Sequence, residues 1–139
     1  MQYMCPGDVL GDKGEEFGEC AVTGDLIMGM TQNNGLRALI KDTHIRDRHG
    51  LGVLNIAFFA KGLNRNRPYK NCHGKIVLLV SIGNYVVDAG DLIVGNSDNV
   101  LIVPRGEIDA VLPGLEGTAE MEKGLEAEIA TDQTCITLV

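Results

Sequence analysis

The sequence predicts a mixed α/β domain, and three observations carry that expectation. Short runs of branched apolar residues recur between Gly, Asn and Asp turns, as in "GLRALI", "KIVLLVSIG" and "VLIVP". One stretch, "GDLIMGMTQNNG", has helical spacing and separates two such runs. From Arg105 to Ala130 the pattern becomes helical, after Pro104 closes the strand-rich region.

The chain of 139 residues is the length of one ordinary domain, 1–139, able to bury a core without disulfides or metal staples. Its hydrophobic content of 45% and charged content of 22% are those of a globular protein rather than a disordered one. A net charge of −7 disfavours a phosphate backbone as partner, so no nucleic acid is expected. No apolar run approaches the roughly 18 residues a membrane span needs. The start, "MQYMCPGDVLGDKGEE", lacks a secretory signal pattern, which gives a cytoplasmic expectation. Cys5, Cys20, Cys72 and Cys135 form no C-x-x-C pair and are expected as reduced thiols. Together with His44, His49 and His73 they match no zinc-site spacing.

In chain order, "PGDVLGD" and "GECAV" are expected as short strands on either side of a charged turn. A helix follows, with Leu26, Ile27 and Met30 at helical spacing and Asn34-Gly35 as its stop. Leu36 to Ile40 reads as a buried strand, and "VLNIAFFAKG" as another, so the order suggests a βαβ unit with parallel pairing. The segment 61–75 holds five basic residues and no acid, and Asn, Gly and Pro punctuate it as a loop. Such a loop can be simply solvated, or can meet an anionic ligand or the acids of a second subunit. Four β runs follow, "KIVLLVSIG", "NYVVDAGD", "LIVGNSDN" and "VLIVP". In the final helical region a break is expected at Pro113-Gly114. Glu107, Asp109, Glu116, Glu120, Glu122, Glu126, Glu128 and Asp132 mark a solvated acidic face there.

The Leu36–Ile40 run ends in Lys41, Asp42, His44, Arg46 and Asp47. Charges there can be a strand reaching water, or ligand-handling groups outside the carboxyl end of a sheet. Arg offers a bidentate grip on a carboxylate, and an adjacent Asp offers a hard oxygen ligand for Mg²⁺ or Mn²⁺. Together they suit a 2-oxo acid. "GDLI" at Gly24–Ile27 adds a helix start whose amides and dipole favour an anion. A surface ion pair is the plain alternative for Arg46-Asp47.

Spacing extends the pattern. "GDLIMGMTQNNGLRALIKDTHIRD" resembles the signature of the family of 4-hydroxy-4-methyl-2-oxoglutarate/4-carboxy-4-hydroxy-2-oxoadipate aldolases. That family also contains the regulator of ribonuclease E activity A, and was formerly called dimethylmenaquinone methyltransferase-like. Gly24, Gly35, Asp42, Arg46 and Asp47 fall in its register without a gap, while Asp25 stands where a second Gly or a polar residue is usual. "FFAKG" and "DAGDLIVGNSDNVLIVPR" continue the likeness in order over nearly the whole chain.

The resemblance implies a β/β/α swivelling-type fold, a homotrimer with sites between subunits, and class II aldolase chemistry on 2-oxo acids. It implies that Arg46 binds the pyruvyl carboxylate and that Asp47 holds Mg²⁺ or Mn²⁺. The amides of Leu26 and Ile27, beside Gly24, would touch pyruvate, and Asp25 would lie near the metal or its waters. Apart from the resemblance, Glu122 on the acidic helix is a candidate to lend a carboxylate from a neighbouring subunit, in compensation for the acid that Gly50 replaces. A Lewis-acid metal stabilises the enolate of retro-aldol cleavage, and the same enolate arises when oxaloacetate loses carbon dioxide. Two departures stand out. Gly50 takes the place of an acid usual three residues after the Asp, as in the regulator branch, and the chain is N-terminally short for the family. The alternative function is a non-catalytic regulator that binds another protein. Gly50→Glu is expected to narrow a gap between fast decarboxylation and slow aldol cleavage.

Overall fold

Three pairs of consecutive strands each give their first strand to one parallel sheet and their second to another. The computed structural model describes residues 4–14, 19–68, 74–76 and 79–131. The first sheet has the order β1-β3-β5, from strands Val9–Asp12, Ala38–Lys41 and Ala57–Phe59. The second has the order β2-β4-β6, from Ala21–Thr23, His44–Ile45 and Gly62–Leu63. All four pairings are parallel, as the strand–helix–strand order suggests. "VLNIAFFAKG" is strand only at β5 and β6, because Val53 is exposed and the chain turns before Ala57.

Alternation along the first sheet assigns its faces, since successive side chains point to opposite sides. Leu10, Leu39 and Phe58 stand in register on one face. There they meet helix α1 (Asp25–Asn33) and the short helix α2 (Arg48–Leu51) in a core built on Met28, Leu36, Leu39, Leu51 and Ile56. Removing Leu39 or Met28 side chains from water contributes roughly 1.5–3 kcal/mol each. Met28 and Thr31 point inward, whereas Leu26, Ile27 and Met30 are exposed. The sheet lies on the Met28 side, and the expected helix itself is present.

The opposite face of the sheet carries Gly11, Ile40 and Phe59 in register. Two antiparallel hairpins cover it. One joins β7 (Leu79–Ile82) to β8 (Tyr85–Asp88), and the other joins β9 (Leu92–Gly95) to β10 (Val100–Val103). Gly11 packs closely on the first hairpin, where a Cβ would stand 2.9 Å from Ile82 Cδ1 and would have to push that side chain aside. An apolar cleft of about 260 Å³ remains between sheet and hairpins, lined by Val9, Ile40, Ile82, Tyr85 and Ile102 among others. Asp91 ties the hairpins' connections, its carboxylate accepting the amides of Asp88 at 2.9 Å and Arg105 at 2.9 Å. Those two bonds hold its carboxyl below the usual carboxylate range.

After a 3₁₀ turn at Arg105–Glu107, helix α3 (Ile108–Ile129) runs unbroken. The break expected at Pro113-Gly114 does not occur. Pro113, the sixth residue of α3, forgoes one backbone bond, to Asp109, and the rest of the 22-residue helix carries on past it. Val111, Leu112, Leu115, Met121 and Ile129 on α3 are all exposed, as are the acids from Asp109 to Glu128. Asp132, Cys72, His73, Cys135 and residues 69–73 of the basic loop lie outside the described residues. The result is a mixed α/β architecture of hairpins, parallel sheet and helices with a C-terminal helix.

Candidate functional site

The carboxyl ends of β2 and β4 bring the candidate residues together. Thr23 ends β2, and Gly24 then opens α1 in an extended conformation without a side-chain cap. Ile45 ends β4, and Arg46 follows with its amide donating to the Thr23 carbonyl at 3.3 Å. Gly24 therefore sits directly against the Arg-Asp pair. A Cβ on Gly24 would lie 2.5 Å from Asp47 Oδ2 and 2.9 Å from Arg46 Nε, so a larger residue would push the ends of both side chains aside.

Asp47 adopts a left-handed backbone, φ 63° and ψ 44°, which Asp tolerates better than most residues. That conformation turns the chain into α2, whose Leu51 amide donates to the Asp47 carbonyl at 3.0 Å. It also directs the carboxylate back to Arg46, with Nε donating to Oδ2 at 3.0 Å. Backbone strain at such a position is common in functional sites. Nε is engaged by Asp47, and the terminal amino groups of the guanidinium remain to fork onto a ligand carboxylate.

Asp25, the first residue of α1, follows Gly24 directly. Its Oδ1 accepts the Leu26 amide at 2.8 Å. This qualifies the expectation for Leu26, whose amide is already occupied and would meet a substrate only if Asp25 turned away. Ile27 is the third residue of α1, and the amides of a first turn have no partner within the helix. A Cβ on Gly50 would lie 2.6 Å from Asp25 Oδ2 and 2.8 Å from Asp25 Cβ. Asp25 thus fills the space above α2.

Among the described residues no group of three or more His, Cys, Asp or Glu could hold a metal ion. The fit for Mg²⁺ or Mn²⁺ rests on two carboxylates, Asp25 and Asp47, each with one oxygen already accepting a hydrogen bond. Two carboxylates suffice for Mg²⁺, which keeps most of its waters. Glu122 is exposed on α3 and is not among the residues gathered here. Asp42 is also elsewhere, accepting the Gly14 amide at 2.9 Å and so securing the chain after β1.

A family model described as RraA-like, Aldolase/RraA, matches residues 2–102. The chain belongs to the RraA-like family. Among RraA-like relatives, a protein of Halalkalibacterium halodurans is 34% identical over 114 residues, 81% of this chain and 53% of the relative. Its name assigns it, provisionally, as a 4-hydroxy-4-methyl-2-oxoglutarate aldolase. An uncharacterized protein of Methanocaldococcus jannaschii is 26% identical over 120 residues, 86% of this chain and 58% of the relative. The chain thus spans little more than half the length of these curated relatives, 53% and 58%. In fold it is similar to an uncharacterized protein of Pseudomonas syringae, with a TM-score of 0.86 at 20% identity over 96% of this chain and 68% of that one. It is also similar to Streptomyces coelicolor RraAS2, described as an unusual member of the RNase ES inhibitor RraA family. That match has a TM-score of 0.80 at 19% identity over 91% of this chain and 65% of that one.

The sequence pattern missed Lys41 as an interior residue. It is 3% exposed at the end of β3, beneath Thr23. Nothing in a lone Lys after an apolar run signals burial, since its partner Asp12 lies 29 residues away.

Proposed function

We propose that this RraA-like chain is a divalent-metal-dependent lyase acting on 2-oxo acids in the cytoplasm. The single observation that carries the reading is the packing of Gly24, at the start of α1, against the Arg46–Asp47 pair. It sets a guanidinium beside a helix N-terminus, and both favour an anionic group such as the pyruvyl carboxylate. Arg46 grips that carboxylate through its terminal amino groups and fixes the substrate's orientation. Asp47 orients Arg46 and, with Asp25, offers the oxygen ligands for Mg²⁺ or Mn²⁺. The metal, when bound, supplies a Lewis acid toward the 2-oxo oxygen. Proximity of grip and metal ligands then aligns the C–C bond that breaks, whether by loss of carbon dioxide or by retro-aldol cleavage. The chemistry supports oxaloacetate decarboxylation over aldol cleavage, because decarboxylation has no hydroxyl proton to remove. The experiment is pyruvate release from oxaloacetate and from 4-hydroxy-2-oxo acids, with Mg²⁺ and with a chelator. Metal-dependent release is expected, and no release from any substrate removes the reading.

A non-catalytic protein-binding regulator is the second reading, favoured by the absence of a side chain at Gly50. The same assay separates the two.

Self-association is part of the proposal. Most of a helix's stability in a protein comes from packing its apolar face, and α3 has no buried residue. Its apolar residues Val111, Leu112 and Leu115 are 37%, 50% and 55% exposed. Its acids complement Lys61, Arg65 and Arg67 of the basic segment, which are exposed as well. These features suit self-association, and the family resemblance makes a homotrimer the expected assembly, in which α3 would bring Glu122 toward a neighbouring site. Light scattering should give three times the mass of one chain, and a monomer at every micromolar concentration contradicts it.

A further inference from the structure

We propose that Lys41 is a positioning residue, whose buried ammonium holds the end of β2 so that Gly24 and Arg46 keep their approach. The inference rests on the lyase reading for what the site binds, but not for whether Lys41 orders it. Lys41 closes β3 at the bend between the two parallel sheets, and its side chain is 0% exposed. Its Nζ pairs with the Asp12 carboxylate at the end of β1 and lies 3.4 Å from the Thr23 hydroxyl at the end of β2. One ammonium thus joins the ends of three strands drawn from both sheets.

Stability is a poor explanation for this pair. Burying an ammonium costs several kcal/mol before pairing, and well-packed apolar substitutes for buried ion pairs are often neutral or better. Nor does Lys41 serve to satisfy every polar group at the bend. Thr43, 1% exposed, keeps its hydroxyl without a partner among the described residues. What the ammonium does reach is Thr23. The carbonyl of Thr23 receives the Arg46 amide, and the next residue is the glycine packed on Arg46 and Asp47. A shift of Thr23 therefore moves both walls of the cradle.

Thr23→Val keeps side-chain shape and leaves the Lys41–Asp12 pair intact, while Lys41→Met removes the ammonium. The first readout is hydrogen exchange of the Arg46 amide, taken as a ratio to the Leu39 amide in the same protein. Global destabilisation speeds both amides together, whereas lost positioning raises the ratio. We expect about a tenfold rise in both variants and near wild-type behaviour in Thr23→Ser, which retains the hydroxyl. The second readout is pyruvate affinity with Mg²⁺ present, expected to fall about tenfold in Thr23→Val and Lys41→Met. An unchanged exchange ratio in both variants overturns the role of Lys41. A raised ratio with undiminished pyruvate affinity overturns it equally. If the unaltered protein binds no 2-oxo acid, the lyase reading fails and the exchange ratio alone decides Lys41.

Discussion

Arg46→Ala is expected to lower kcat/KM for oxaloacetate by about two to three decades, and loss of the Asp47 carboxylate by a similar factor. A charged contact removed from a partly desolvated site costs a few kcal/mol of transition-state stabilisation, and each 1.36 kcal/mol is tenfold. The Arg46 side chain is 24% exposed and that of Asp47 45%, so Arg46 is the more shielded and is expected to show the larger loss. Asp47 needs a careful substitution. Its φ of 63° would cost an Ala roughly 1–2 kcal/mol of backbone strain, which confuses folding with chemistry. Asn tolerates that backbone and keeps the shape while removing the charge. Arg46→Ala and Asp47→Asn should therefore fold normally by circular dichroism and melt near the unaltered protein. Activity within threefold of the unaltered protein, in either variant, would remove that residue from the proposed machinery.

Much of the architecture was legible because the strands announce themselves through branched runs and turn residues. β3, both hairpins and α1 lie where "GLRALI", the four late runs and "GDLIMGMTQNNG" placed them. What failed was whatever depends on partners distant in sequence. The buried side of α1, which helical spacing did not assign, is set by Leu36, Leu39 and Leu51, so Met28 is inside and Leu26, Ile27 and Met30 are exposed. Helix continuity through Pro113 was hidden because one lost bond competes with a whole helix of others. In the site, the order of Gly24, Arg46 and Asp47 along the chain was readable, yet their packing was not. The Asp25–Gly50 contact and the burial of Lys41 arise from where α1, α2 and the bend meet in space.

That contact changes what should be expected of Gly50. From sequence, Gly50→Glu looked like the gain of a missing carboxylate, and a narrowing of the gap between decarboxylation and aldol cleavage. The structure places Asp25 where the new side chain must begin. The nearest atoms include Asp25 Cβ at 2.8 Å and Cγ at 3.0 Å from an ideal Cβ on Gly50. Cβ is fixed by the backbone, so no rotation of Asp25 relieves the overlap, and α1 must move from α2. Forcing atoms into such a filled space typically costs 1–3 kcal/mol. It also displaces one of the two carboxylates proposed to hold the metal. Gly50→Glu is therefore expected to slow oxaloacetate decarboxylation by about tenfold or more, and to lower the melting temperature by several degrees. Aldol cleavage, already the slower reaction, should fall with it rather than gain. Gly50→Ala isolates the cause, because it adds the Cβ alone and no charge. Both rates and the melting temperature of Gly50→Ala should move in the same direction as those of Gly50→Glu. An Ala variant that matches the unaltered protein in all three would show that α1 yields freely, and would return Gly50 to its role as the place of a missing acid.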